Sequence, residues 1–171
     1  MKLFCTIIIL IIASFIWIDN APPSKLIVPY YYNGKNEEII KKGLEDWSFL
    51  QNVKFVRTNE QTLGTLKFVE VTSKRMYVNY RFGEYNFFTN TIKLNADKQL
   101  TKRQWIAIVS HEVGHYFLLQ HSSDKTSIMS NNFYLNENDR KQATKNVKRV
   151  IFINKIRGWL NPLSSLFVKK L

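Results

Sequence analysis

All three histidines of the 171-residue chain fall within eleven residues, in His111-Glu112-Val113-Gly114-His115-Tyr116-Phe117-Leu118-Leu119-Gln120-His121. On a helix, His111 and His115 lie one turn apart, about 40° around the axis, so both imidazoles can reach one metal ion from the same face. Glu112 sits beside them and can approach a water on that ion without ligating it, which is the position of a general base. His121 is six residues past His115. On a continuing helix it would be roughly 9 Å further along and on another face, so it joins the pair only if the helix stops near residue 118. Histidines used singly as core or surface residues have no reason to cluster beside a carboxylate in this way. The only cysteine, Cys5, lies in an apolar leader, so the rest of the chain has no thiol for a disulfide, a Cys-ligated metal or a Cys nucleophile. Metal or catalytic chemistry must rest on histidines and carboxylates.

The elements that position these residues are legible on either side. Thr101 and Gln104 have the spacing of a capping box and open a helix through Trp105, Ile108 and Val109 into the histidines. Upstream, Leu26 to Tyr32 is a β-rich run ending at the turn signal Asn33-Gly34, and Asn36 can cap a helix to about Leu50 with Ile40, Leu44 and Trp47 on one face. Val53 to Arg57, Thr65 to Val71 and Thr91 to Asn95 read as short strands. Met76, Val78, Tyr80 and Phe82 alternate with Tyr77, Asn79 and Arg81, the cleanest half-buried strand pattern in the chain, followed by a loop containing Gly83 and Asn90. Asn136 can cap a last helix. Strands first and helices later, without repeats, describe one α+β domain.

Over His111 to His121 the sequence resembles the metzincin metallopeptidases, whose pattern is H-E-x-x-H-x-x-G-x-x-H, and most closely the matrixins, the matrix metalloproteinase family. In Ser122 to Met129, the methionine stands where the family's Met-turn lies beneath the zinc. Leu135-Asn136-Glu137-Asn138-Asp139 is similar to the matrixin segment that opens the last helix, and Ile92 to Asp97 to the strand before the active-site helix. The match is specific over Thr91 to Lys145 and architectural over Leu26 to Tyr80.

The resemblance implies a small twisted mixed β-sheet, an active-site helix and a C-terminal helix after the Met-turn. It implies one catalytic Zn2+ on His111, His115 and His121, Glu112 as general base, and Met129 as support. It further implies an endopeptidase whose protein or peptide substrate lies extended along an edge strand, here expected at Met76 to Phe82, with a side-chain pocket involving Phe133 or Tyr134. Leu118 stands at the family's glycine position. A left-handed conformation there costs a leucine roughly 1 to 2 kcal/mol. Ser130 and Asn131 replace the family's Tyr-Pro, and no fourth histidine remains for a second, structural zinc. Two rival readings are a gluzincin-type site with Glu137 as third ligand, and a catalytically silent, zinc-stabilised binding or membrane-adaptor module.

The ends of the chain carry different signals. Residues 1–20 hold one lysine, Lys2, and an apolar run from Leu3 to Ile18, the pattern of a signal peptide or signal anchor; either implies an exported body, secreted or membrane-anchored. Residues 21–25 form a Pro-Pro linker, 26–149 the catalytic domain and 150–171 a basic amphipathic tail. The formal net charge is +12, but residues 140–171 hold nine Lys and Arg and no acid, leaving +3 for residues 1–139. Phe152, Ile156, Trp159, Leu160, Leu163, Leu166 and Phe167 recur at helical spacing there, with Pro162 as a break or kink. That stripe either packs on the domain or lies on an anionic membrane surface with Trp159 at the interface. A nucleic-acid partner is not expected, because the strands carry no basic and aromatic platform.

Overall fold

The computed structural model describes residues 25–78, 81–130 and 134–168. The N-terminal apolar run, Phe133 and the side chains of Trp159, Leu163, Leu166 and Phe167 lie outside the described residues. Strand β1 (Leu26–Tyr32) leads into helix α1 (Glu37–Glu45), which returns the chain to strand β2 (Val53–Arg57). Strand β3 (Leu66–Val71), strand β4 (Gly83–Asn86) and strand β5 (Thr91–Asn95) follow, then helix α2 (Lys102–Tyr116) and helix α3 (Glu137–Val168). The five strands form one mixed sheet in the order β2-β1-β3-β5-β4. β1 is parallel to β2 and β3, β3 is parallel to β5, and β4 alone is antiparallel, on the edge. The chain is α+β, as its pattern of elements implied.

The alternation of β1 buries Leu26, Val28, Tyr30 and Tyr32 on one face, where they meet Phe68 of β3 and Ile92 of β5. Helices α1 and α2 cover this face with Ile40, Leu44, Val109 and Val113. Their approach is set by Gly43, where a Cβ would stand 2.4 Å from Val109 Cγ1. Trp47 and Phe117 close the bottom of the core with ring centroids 5.0 Å apart. Helix α1 is shorter than its apolar pattern suggested, ending at Glu45. Asn36 makes no side-chain cap bond; its backbone N–H donates instead to the Tyr32 hydroxyl at 2.9 Å.

The expected strand at Met76 to Phe82 is not formed among the described residues. Ser73–Arg75 make a 3-10 turn, Met76 to Val78 bend, and the edge strand lies at Gly83–Asn86, inside the segment read as a loop. The reason is local competition. Phe87 to Asn90 form a tight turn that pairs Asn86 with Thr91, and Asn90 takes a left-handed φ of 51°, which asparagine tolerates. The Tyr77 N–H is held by the Glu84 carboxylate at 2.8 Å, so the segment before β4 folds back on β4 and does not extend the sheet. Alternation alone could not tell these two solutions apart.

Candidate metal centre

Helix α2 starts as expected: the Thr101 side chain accepts the Gln104 N–H, and Gln104 Oε1 accepts the Thr101 N–H at 2.8 Å. It stops one residue after His115. The Leu118 N–H reaches the His115 carbonyl and the Leu119 N–H the Gly114 carbonyl, both at 3.0 Å, the paired bonds of a Schellman motif. Its left-handed residue is Leu118, at φ 61°. The Asn146 side-chain amide, on α3, donates to the Phe117 carbonyl at 3.0 Å and satisfies a helix-end acceptor. This stop reverses the chain and carries His121 back over His115.

The ring nitrogens of the three histidines lie within 4.8 Å of one another. His111 Nδ1 is 2.7 Å from the Ile128 carbonyl and His115 Nδ1 is 2.9 Å from the Leu119 carbonyl. A carbonyl only accepts, so each Nδ1 carries the proton and each Nε2 presents a lone pair. His115 and His121 face each other Nε2 to Nε2 at 3.2 Å, close to one edge of a tetrahedron of Zn–N bonds about 2.0–2.1 Å long. Burial holds the His111 pKa below its ordinary value and pushes that of His115 down to about 4, so both rings are neutral at neutral pH. Orientation, tautomer and protonation fit the donor set of a zinc ion.

Glu112 is 6% exposed. Burial raises its pKa to about 8; a backbone bond from Tyr85 and the charge of Arg81 pull it down, and Glu84 pushes it up. A dication among the neighbouring imidazoles would favour the carboxylate further. Gly83 makes room for this side chain: a Cβ there would stand 2.8 Å from Glu112 Oε1 and 2.8 Å from Ile108 Cγ2. The first residue of the edge strand is thus fitted to the carboxylate.

Met129 packs against helix α2 between the two helical histidines: a Cβ on Gly114 would meet its sulfur at 2.4 Å, so the glycine lets the turn at Met129 close on the helix. The turn is tied to the start of α3 by the buried Asp139, whose carboxylate accepts the Ser127 hydroxyl at 2.6 Å, the Ile128 N–H at 2.9 Å and the Asn136 N–H at 3.1 Å. Asn136 caps α3 in return, accepting the Asp139 N–H at 2.8 Å. Since Ile128 also receives His111 Nδ1, Asp139 reaches a proposed ligand through one residue.

A cleft of about 900 Å³ runs past the histidines, lined by Gly83, Glu84 and Tyr85 of β4, by Leu118 to His121, and by Ile128 to Ser130. Tyr134 is not on this lining; it is exposed and stacks under Arg103, which also donates to its hydroxyl. Glu137, the rival third ligand, is exposed at the start of α3 and pairs with Lys141 at 3.6 Å, apart from the histidine cluster. In the sequence Gly83 stands out only as part of a loop, Gly114 and Asp139 only as members of motifs, and Asn146 not at all; their roles are contacts with residues distant along the chain.

A family model for matrixin, the M10 peptidases, matches residues 27–152. No curated protein matches the chain. The match spans the sheet, the histidine cluster, the Met-turn and the first half of α3, and the chain belongs to the matrixin family of zinc metallopeptidases.

Proposed function

We propose that this chain is a zinc-dependent endopeptidase, with one catalytic zinc on His111, His115 and His121 and Glu112 as general base. The observation that carries the reading is the buried Glu112 carboxylate set between three convergent imidazoles and the outer strand of the sheet. Bound zinc would supply Lewis acidity and a water of lowered pKa. Glu112 takes a proton from the attacking water and returns it to the leaving nitrogen. The Tyr85 N–H and the space at Gly83 hold its carboxylate in place. The carbonyls of Ile128 and Leu119 fix the ring orientations of His111 and His115. An extended substrate pairs with β4, the edge strand that lines the cleft, which recognises main chain and not a free terminus. The N-terminal apolar run makes the domain an exported one, released or held at a membrane by residues 1–20.

The test is metal analysis and mapping of cleavage sites in denatured protein substrates. Glu112→Gln is expected to keep zinc and lose about 10²- to 10⁴-fold in turnover. His121→Ala is expected to lose zinc, and Glu137→Ala to keep it. Equal cleavage by Glu112→Gln and the parent would reject the enzyme and leave a zinc-stabilised binding module. Full zinc retention without His121 would reject the three-histidine set.

A further inference from the structure

The parallel strands β1, β2, β3 and β5 all start at one edge of the sheet, and the β4–β5 turn lies at that same edge because Asn86 pairs with Thr91. The turn presents Phe87 and Phe88, 42% and 86% exposed, with ring centroids 5.9 Å apart. Phe87 packs under Arg157 at 4.8 Å and borders the cleft, while the Phe88 ring stands almost wholly in solvent. Helix α3 crosses this edge from the β2 side to the β4 side. Near its start, Arg140 lies over Phe49, in the segment just before β2, at 4.8 Å. Further along, Arg157 is buried at the turn, donating to the Phe87 carbonyl at 2.6 Å, the Asn90 side chain at 3.0 Å and the Tyr85 hydroxyl at 3.2 Å. The aromatic tip and the basic helix are therefore joined into one platform at Arg157.

Charge and connectivity agree on what this platform faces. From Arg140 onward the helix carries no acidic residue, and Lys25 and Lys54 stand exposed at the starts of β1 and β2, with Glu45 at the end of α1 and Glu137 at the start of α3 as exposed acids of the same edge. The apolar run ends at Ile18 and β1 begins at Leu26, so the intervening residues 19–25 span at most about 25 Å when fully extended. With that run in a bilayer, the edge bearing Phe88 is the one held against the headgroups. An exposed aromatic ring at one end of an edge whose other end carries lysines suits an anionic interface, where the ring enters the acyl boundary and the ammonium groups meet phosphates.

We propose that this edge of the domain is a docking face for an anionic lipid surface, with Phe88 at its centre. It does not depend on the peptidase reading, and its test reads no catalysis. The full chain carrying Cys5→Ser, which removes its only cysteine, would be labelled with an NBD fluorophore at Phe88→Cys or at Glu60→Cys. Glu60 lies beyond the end of β2, at the opposite edge of the sheet. Each protein is reconstituted in vesicles of phosphatidylcholine alone or with phosphatidylglycerol. With phosphatidylglycerol, the label at 88 is expected to shift to the blue and to be quenched by shallow doxyl lipids several-fold more than the label at 60. In phosphatidylcholine alone it is expected to return to the emission of a label in water. A label at 88 that stays in water with phosphatidylglycerol, matches the label at 60, or ignores lipid charge overturns the proposal. So does a label at 88 that responds to single-stranded DNA and not to lipid, which would assign the face to a soluble polyanion.

Discussion

Leu118 offers the sharpest test of how this site is built, because it sits at φ 61° where its chemistry is unfavourable. A leucine in the left-handed region costs roughly 1 to 2 kcal/mol relative to its ordinary conformations. Its side chain is half-buried, packs against the core and lines the cleft, so removing it forfeits about 1 kcal/mol of apolar burial. Leu118→Ala loses that burial and keeps most of the backbone strain. Leu118→Gly loses the same burial and about 0.4 to 1 kcal/mol of unfolded-state entropy, but regains roughly 1 to 2 kcal/mol of strain. The glycine variant should therefore be more stable than the alanine variant by about 0.5 to 1 kcal/mol, and close to the parent. At an ordinary helical position the order is reversed, with glycine worse by about 0.8 to 1 kcal/mol. Urea unfolding of the parent and both variants, zinc-loaded and chelated, reads the difference directly. An alanine variant as stable as the glycine variant would falsify the strain account of this helix stop.

Three further outcomes follow from contacts at the site. Gly83→Ala brings a Cβ to 2.8 Å from Glu112 Oε1, so turnover should fall by about 10-fold or more with zinc content unchanged; an unaltered kcat would show that the carboxylate tolerates displacement. Asp139→Ala leaves the Ser127 hydroxyl and the Ile128 and Asn136 N–H groups without their acceptor, at a cost of about 3 kcal/mol or more; a thermal midpoint equal to the parent's would refute its role as the tie between Met-turn and α3. In the metal-free protein His115 should make an acid-sensitive contribution to stability in a defined window. Its folded pKa is about 4 against about 6.5 unfolded, so between these values this residue binds more protons in the unfolded chain. Its contribution is complete above pH about 6.5 and is lost as the pH falls towards 4, whereas the Glu112 carboxyl, raised to about 8, gains stability as the pH falls over the same interval. Subtracting the urea midpoints of chelated His115→Gln from those of the chelated parent isolates the histidine: the difference should shrink as the pH falls from about 6.5 towards 4, and a constant difference would refute the assignment.

What could be read along the chain was whatever is decided within a few residues. The capping box at Thr101 and Gln104, the imidazole spacing and the cap at Asn136 are local hydrogen-bond or periodicity facts, and they stand in the structure as read. The stop near residue 118 could be inferred only as a condition on His121, because no glycine marks it; the left-handed leucine is held by Asn146 and by packing from elsewhere. The edge strand was misplaced for a related reason. Residues 76–82 have the alternation of a strand, but Gly83–Asn86 has the partner, since it alone is joined to β5 by a tight turn. Helix α3 makes the same point about charge. Its basic residues read as an appendage beyond residue 149, yet the helix passes that point unbroken, with Val150 and Arg157 buried and Arg157 bonded to the turn that carries the edge strand. A stripe of hydrophobic residues says that a helix has a covered face; what covers it here lies about thirty to seventy positions away, at Tyr116 and Phe117 and at the turn after β4. Removal of residues 150–171 would therefore test the domain as well as the tail, and a membrane role is better probed at Phe88, whose exposed ring can be replaced without disturbing the core.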